Sequence, residues 1–207
     1  MGVELDRRLG GDQAGAEVVE ETDPPTIFAA MEALIIVDVQ NDFCPGGALA
    51  VDDGDRIIPM INELARDTPF VVATRDWHPA AHSSFVERGG RWPVHCVQGT
   101  EGADLRSTLD ARAIDVVIDK GQEVDEPGYS GFEHTDLERI LRDQGVERVD
   151  IVGLALDYCV KATALDAKQA GFDVTVHRAA TGAVNVKPGD DDRAVAELRE
   201  AGVSVVG

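Results

Sequence analysis

Cys159 is the residue whose type and position most directly suggest chemistry in this chain. It follows an apolar run at 149–156 and opens the segment 157–163, a pattern that predicts a buried strand, a short turn and the start of a helix. A thiol at a helix N-terminus lies near the positive end of the helix dipole, which favours the nucleophilic thiolate. A buried cysteine by itself is more commonly a small apolar side chain, so its neighbours must decide its role.

Two other predicted strands end in side chains that suit a nucleophilic cysteine. The first strand ends at Asp38 and the third at Lys120. Ligands of open parallel sheets bind outside the carboxyl ends of the strands, so Asp38, Lys120 and Cys159 are expected to converge there. Together they supply a proton carrier, a fixed positive charge and a nucleophile. Each has an ordinary explanation alone, as a cap, a solvated charge or a packed thiol; their shared edge indicates an active site.

A second group of reactive side chains lies in the polar stretch 76–103, which is too long for a simple connection. Asp76 and His78 are two residues apart, so in an extended chain they point to the same side. His82 and His95 follow. One carboxylate and three imidazoles can hold one divalent ion such as Zn, Fe or Mn and leave a position for water or a ligand. The alternative, that a polar loop simply contains these residues, stays open at this point.

These groups need a scaffold of alternating strands and helices. Apolar strands are predicted near 33–37, 70–74, 116–119, 148–152, 173–176 and 203–206. Amphipathic helices are predicted near 55–66, 105–112, 136–144, 157–170 and 190–201. Three junctions have the order helix, glycine, strand, at Gly145, Gly171 and Gly202. Alternation with almost wholly apolar strands predicts an α/β fold with a parallel sheet covered on both faces.

Composition limits the partners and the compartment. The formal net charge is −20, which disfavours nucleic acid and anionic membrane surfaces. We find no apolar segment long enough to span a membrane and no signal peptide, and three widely spaced cysteines fit a reducing cytoplasm. Residues 1–30 carry an acidic run and two adjacent prolines without periodicity, so we expect a flexible acidic extension before a single domain at 31–207.

Four motifs, in this order along the chain, resemble a known family. They are ALIIVDVQNDFC at 33–44, RDWHP at 75–79, WPVHC at 92–96 and VGLALDYCV at 152–160. They are similar to the nicotinamidase/pyrazinamidase branch of the isochorismatase-like cysteine hydrolases. The resemblance covers 31–207. It implies a Rossmann-like three-layer α/β/α fold with a six-stranded parallel sheet. It also implies hydrolysis of nicotinamide to nicotinate and ammonia, as in NAD salvage, and hydrolysis of pyrazinamide to pyrazinoate as a further activity.

The resemblance also implies a role for each site residue. Cys159 would be the nucleophile, Asp38 the general base and then acid, and Lys120 the cation that holds both. A cis peptide bond before Ala155 would aim the amides of Ala155 and Cys159 at the oxyanion. The metal ligands would be Asp76, His78, His82 and His95, and the residues flanking the substrate ring would be Phe43, Trp92 and Tyr129.

One loop departs from the family pattern, and other functions remain open. Lys120-Gly121 and the segment 128–132 match the family, whereas the acidic segment 122–127 between them does not. A related amidase acting on a carbamoyl or ureido compound would use the same three catalytic groups. An isochorismatase proper does not need the nucleophilic cysteine. A non-catalytic metal-binding module has no use for a thiol between a carboxylate and an ammonium, and association into a homo-oligomer is left open.

Overall fold

The apolar runs of the chain form one parallel sheet. A computed structural model describes residues 31–207, and the predicted extension at 1–30 lies outside the described residues. The strands are β1 (Met31–Val37), β2 (Phe70–Asp76), β3 (Val116–Lys120), β4 (Val146–Leu154), β5 (Asp173–Gly182) and β6 (Ser204–Val206). They pair in the order β3-β2-β1-β4-β5-β6, and every pair is parallel. The six-stranded parallel sheet predicted from the sequence is therefore confirmed.

Helices cover both faces of this sheet. The helices are α1 (Ile58–Asp67), α2 (Leu137–Asp143), α3 (Lys161–Gln169) and α4 (Asp190–Glu200). On β1, Ile35 faces the core shared with α2, α3 and α4, whereas Ile36 faces the core shared with α1. Both side chains are fully buried, and each contributes about 1.5–3 kcal/mol of hydrophobic stabilisation. The result is the expected three-layer α/β/α arrangement, and no helix within 31–207 meets the length and apolarity needed to cross a bilayer.

The predicted helix at 105–112 is wrong. This segment is extended and turned, with only a short 3-10 turn at Ala111–Ala113. Leu105 forms an antiparallel bridge with Gln40, and the Arg106 amide donates to the Val39 carbonyl at 2.8 Å. These contacts hold the backbone around Leu105 extended against the chain beyond β1, so tertiary pairing overrides the local preference. The other four helices form within a few residues of their predicted bounds.

The two edges of the sheet are connected differently. At the edge where strands begin, the helices end in the predicted glycines, and Gly145, Gly171 and Gly202 have φ values of 69°, 90° and 81°. At the edge where strands end, long segments such as 77–115 and 121–136 lead away from the sheet. These long connections close over the carboxyl ends of the strands and bury what lies there.

Candidate active site and metal centre

The carboxyl ends of the strands deliver the predicted catalytic side chains to one place. Asp38 follows β1, Asp76 ends β2 and Lys120 ends β3, and Asp76 is the register partner of Lys120. Beyond β4, the chain passes through a π-helical turn, Leu156–Val160, which carries Cys159 into α3. The parallel strands and the turn after β4 therefore bring one thiol, one ammonium and two carboxylates to the same edge.

Lys120 is the centre of this group. Its Nζ lies 2.8 Å from Asp38 Oδ2 and 3.5 Å from Cys159 Sγ. The same ammonium contacts the Asp76 carboxylate and donates to the Gly128 carbonyl at 2.7 Å. Lys120 is 1% exposed and Asp38 is 0% exposed, so these charges interact without screening by water. Such a buried cluster is costly to assemble, which favours a functional reason for keeping it.

Asp38 is arranged to receive a proton. The Thr74 hydroxyl donates to its Oδ1 at 2.7 Å, and its backbone has a left-handed φ of 49°, as residues held at functional sites often do. Its other oxygen, Oδ2, lies 2.8 Å from the Lys120 ammonium. Burial raises the pKa of Asp38, against the opposing charge of Lys120, which makes the carboxylate a stronger base.

The thiol of Cys159 is neutral at rest. Burial raises its pKa well above the ordinary value, and the opposing effect of Lys120 does not overcome this. From the sequence we expected the helix dipole and Lys120 to favour the thiolate. In the structure Cys159 lies within the π-helical turn and is 7% exposed, so loss of hydration outweighs both. The thiol therefore needs a base, and the carboxylate of Asp38 lies within 4.8 Å of its sulfur.

Three of the predicted metal ligands form a compact group. Ligand atoms of Asp76, His78 and His95 all lie within 4.8 Å of one another, and all three side chains are buried. The Nδ1 atoms of His78 and His95 lie 2.9 Å from the Gly121 carbonyl and 2.7 Å from the Pro93 carbonyl. A carbonyl only accepts, so each Nδ1 carries the proton and each Nε2 keeps a lone pair. These lone pairs are on the ring atoms nearer Asp76, at 3.4 and 3.8 Å from its Oδ2. Two imidazoles and a carboxylate are a donor set that fits a divalent ion.

His82 lies beside this group but is not part of it. Its ring stacks on that of His78 with centroids 4.0 Å apart. Its Nε2 lies 2.6 Å from the Glu126 carbonyl and therefore donates, while its Nδ1 lies 2.7 Å from the Ser84 hydroxyl and accepts. Both nitrogens are engaged, so in this arrangement His82 supports His78 and offers no lone pair to an ion.

The residues predicted to flank a substrate ring line one cavity. Phe43, Trp92 and Tyr129 surround it, and the Trp92 indole donates to the Tyr129 hydroxyl at 3.0 Å. Cys159 and Ala155 also line this cavity, as do Asp76 and His95 from the metal group. A flat aromatic ring bound here would contact the thiol and the metal ligands at the same time.

The backbone near Ala155 is unusual. The peptide bond between Leu154 and Ala155 is cis, as the family resemblance implies. The Ala155 carbonyl accepts from the amides of Tyr158 and Val160, at 3.0 and 3.1 Å. These bonds fix the turn that places both Ala155 and Cys159 against the cavity.

Sequence reasoning missed several contributors. Tyr158 lines the cavity, with its ring centroid 5.0 Å from that of Trp92 and 6.0 Å from that of Tyr129. Gln40 is fully buried, and its amide accepts from the Asp76 backbone N–H and donates to the Asp76 carbonyl, both at 2.8 Å. Gln40 follows Asp38 by two residues, so its position as an uncharged polar residue beside a strand end could have indicated that it belongs to the site. Tyr158 carried a similar signal as the neighbour of Cys159.

Known proteins share the sequence pattern and the fold of this chain. The isochorismatase domain family matches residues 32–207. A nicotinamidase/pyrazinamidase of Mycobacterium tuberculosis is 43% identical over 187 residues, covering 85% of this chain and 98% of the relative. The pyrazinamidase of Pyrococcus horikoshii in complex with zinc is 52% identical with a TM-score of 0.78, covering 84% of this chain and 98% of that one. The PnC1 protein of L. infantum in complex with nicotinate is 39% identical with a TM-score of 0.82, covering 86% and 92%. The chain therefore belongs to the isochorismatase family, in the branch that contains the nicotinamidases.

Proposed function

We propose that this protein is a metal-dependent cysteine amidohydrolase that converts nicotinamide to nicotinate and ammonia. The observation that carries this is the buried Lys120 ammonium, which contacts the Asp38 and Asp76 carboxylates and lies 3.5 Å from the Cys159 thiol. Asp76 joins the catalytic group to the metal group, so a ring bound in the cavity meets both. The same chemistry extends to pyrazinamide, whose ring also carries a nitrogen meta to the carbon that bears the amide.

The reaction begins with proton transfer inside the buried group. Asp38 takes the proton of Cys159, and the sulfur attacks the amide carbon of the substrate. The developing oxyanion is met by the backbone N–H groups of Ala155 and Cys159, and each such donor contributes about 100- to 1000-fold in rate. Asp38 then gives its proton to the departing nitrogen, and ammonia leaves. Asp38 then deprotonates a water molecule, which attacks the thioester carbon. The C–S bond breaks, nicotinate leaves, and Asp38 returns its proton to the Cys159 sulfur.

The remaining residues bind and orient the ring. Phe43, Trp92 and Tyr129 hold it within the cavity, so that the amide carbon meets the sulfur in one orientation. Asp76, His78 and His95 would hold one divalent ion, Zn²⁺, Fe²⁺ or Mn²⁺, which supplies Lewis acidity toward the ring nitrogen and draws electron density from the amide. His82 would complete the ligand set only by giving up its bond to the Glu126 carbonyl.

Ammonia and nicotinate release from nicotinamide by the purified, metal-loaded protein tests this proposal. Nicotinamide, pyrazinamide and an N-carbamoyl compound are assayed in parallel, and turnover of the first two is expected. Turnover of the carbamoyl compound alone would assign the protein to the related amidases. Absence of turnover of all three by folded, metal-loaded protein would favour a non-catalytic metal-binding module.

A cytoplasmic location is part of the same proposal. The three cysteines, Cys44, Cys96 and Cys159, are all buried and unpaired. Unpaired thiols suit a reducing compartment, and Cys159 must keep a free thiol to act as the proposed nucleophile.

A further inference from the structure

The loop 121–128 connects the catalytic lysine to the cavity wall. It follows Lys120 directly, ends before Tyr129 and contains the acidic segment that departs from the family pattern. The loop supplies no side chain to the proposed reaction. Its backbone, however, contacts both the metal group and the catalytic group.

Three backbone carbonyls of this loop accept hydrogen bonds from functional side chains. The Gly121 carbonyl lies 2.9 Å from His78 Nδ1, and the Glu126 carbonyl lies 2.6 Å from His82 Nε2. The Gly128 carbonyl accepts from Lys120 Nζ at 2.7 Å. Because carbonyls only accept, the first two select which nitrogen of each histidine carries the proton. The third holds the ammonium that contacts Asp38 and Asp76.

The two ends of the loop touch through glycines. Gly121 and Gly128 have φ values of 62° and 67°. A Cβ on Gly128 would lie 2.5 Å from the Gly121 Cα, and a Cβ on Gly121 would lie 2.6 Å from His78 Cε1. No side chain fits between these backbones, so the carbonyls that hold His78 and Lys120 belong to one closely packed unit.

The middle of the loop is tied to the segment that carries the metal histidines. The Ser83 amide donates to the Val124 carbonyl at 2.7 Å, and the Gln98 side chain donates to the Gln122 carbonyl at 3.3 Å. The Trp77 amide donates to the Lys120 carbonyl at 3.0 Å. A displacement of the loop would therefore shift the metal group and the catalytic group at the same time.

The geometry points to a positioning role for this loop, which couples the metal histidines to the catalytic lysine through its carbonyls. Metal retention and the placement of Lys120 then depend on the same contact between Gly121 and Gly128. This inference rests on the proposed function for its kinetic part only, since the binding of the metal is measured without substrate.

The test compares Gly128→Ala with Gly145→Ala. Gly145 has a φ of 69°, nearly that of Gly128, and nothing lies within 4 Å of a Cβ built there. Both variants force alanine into the left-handed region, so they share the backbone strain and differ only in the clash with Gly121. Zn²⁺ affinity is measured by competition with a chelating dye, and kcat and KM are measured with nicotinamide.

We expect Gly128→Ala to weaken Zn²⁺ binding and to lower kcat, each by about 10- to 100-fold, with a smaller change in KM. Gly145→Ala should lose thermal stability but keep metal affinity and kcat. Unchanged zinc affinity in Gly128→Ala would overturn the coupling, whether or not kcat falls. If Gly128→Ala weakens zinc binding but the wild-type protein hydrolyses no nicotinamide, the proposed function would be refuted and the inference would still hold.

Hydrogen exchange on the wild-type protein provides a measurement that does not depend on a variant that folds. Adding Zn²⁺ to metal-free protein should slow exchange of the amides in 121–128 and of Trp77. The amide of Gly145 should be unaffected. No change in the loop on addition of zinc would contradict the inference.

Discussion

The two ends of the sheet carry the same kinds of charge in opposite settings. Where strands begin, Glu32 of β1 faces Arg148 of β4 in register, with their charged atoms 3.0 Å apart and side chains 37% and 52% exposed. Where strands end, Asp38 and Lys120 lie 2.8 Å apart with neither side chain exposed. Exposed pairs contribute little to stability, whereas buried charges are costly to desolvate. The difference indicates that charge at the carboxyl end is kept for chemistry.

The lengths of the connections explain why the amino end of the sheet is exposed to water, here called the wet end, and why the carboxyl end is buried, here called the dry end. The helix-to-strand turns at the amino end span only a few residues, as between α2 and β4 around Gly145. The segments that leave the carboxyl end, 77–115 and 121–136, are long enough to fold over it. Loop length thus decides which ion pairs lose their water.

The largest effect should come from the nucleophile at the dry end. Cys159→Ala should reduce nicotinamide hydrolysis by about 10⁴-fold or more, because no other described side chain is placed to attack the amide carbon. Metal content and circular dichroism should stay unchanged, since the metal group does not use the sulfur. Ammonia release comparable to that of the wild type would refute a thioester mechanism.

Removal of the cation at each end of the sheet compares the two settings directly. Lys120→Met leaves Asp38 and Asp76 buried without their partner, so the free energy of unfolding should fall by about 3–5 kcal/mol at neutral pH. Arg148→Met at the exposed end should change it by about 0–1 kcal/mol. Urea unfolding of both variants measures the difference, and equal losses would remove the basis of the comparison.

An intermediate case lies one residue before the dry edge. Arg75 of β2 and Asp119 of β3 are register partners with two hydrogen bonds, at 2.7 and 3.0 Å, adjacent to the pair formed by Asp76 and Lys120. Because β3 is an edge strand and ends in Lys120, Asp119→Asn should lower kcat by about 10-fold through misplacement of the ammonium.

Glu32→Gln is the matched control for this substitution. It removes the carboxylate of an equivalent cross-strand pair at the wet end, with a stability change of about 0–1 kcal/mol. Its kcat should equal that of the wild type. Equal kcat in the two variants would show that the register of β3 does not position Lys120.

The smallest effect concerns a titrating pair away from the active site. His177 of β5 lies 2.8 Å from Asp150 of β4, and this hydrogen bond raises the pKa of His177 despite the opposing effect of partial burial. The stabilisation is fully present below the unfolded-state pKa of about 6.5 and is lost as pH rises through the folded-state pKa. His177→Gln should therefore lower stability by up to about 1 kcal/mol near pH 6 and less at pH 9. A stability difference independent of pH would contradict this assignment, and kcat should not change.

The sequence predicts the scaffold well because strands that are buried on both faces of the sheet appear as continuous apolar runs. All six strands appear where apolar runs predict them, and the ends of these runs locate Asp38, Lys120 and the approach to Cys159. The helix at 105–112 fails because the backbone around Leu105 is held extended against the chain beyond β1, a long-range contact that local periodicity does not report.

The finer features of the site depend on contacts that no motif displays. The engagement of both His82 nitrogens depends on Ser84 and on Glu126, which is 44 residues away. The raised pKa of Cys159 depends on burial, which outweighs the dipole and the charge expected from the sequence. Gln40 and Tyr158 stand in the recognised motifs, yet only the folded chain shows what they touch.

The neutral thiol of Cys159 has a consequence for inhibitor chemistry. Burial also raises the pKa values of the other two cysteines, Cys44 and Cys96, so no cysteine of this protein presents a ready thiolate to solvent. General alkylating reagents, which react with thiolates, should label the folded protein slowly. An effective covalent inhibitor needs a flat ring that fits the cavity lined by Phe43 and Trp92, and an electrophilic carbon that reaches the sulfur while Asp38 accepts its proton. The selectivity of such an inhibitor would then depend more on the fit of its ring than on the reactivity of its electrophile, since the thiol reacts only with a carbon that the bound ring places beside it.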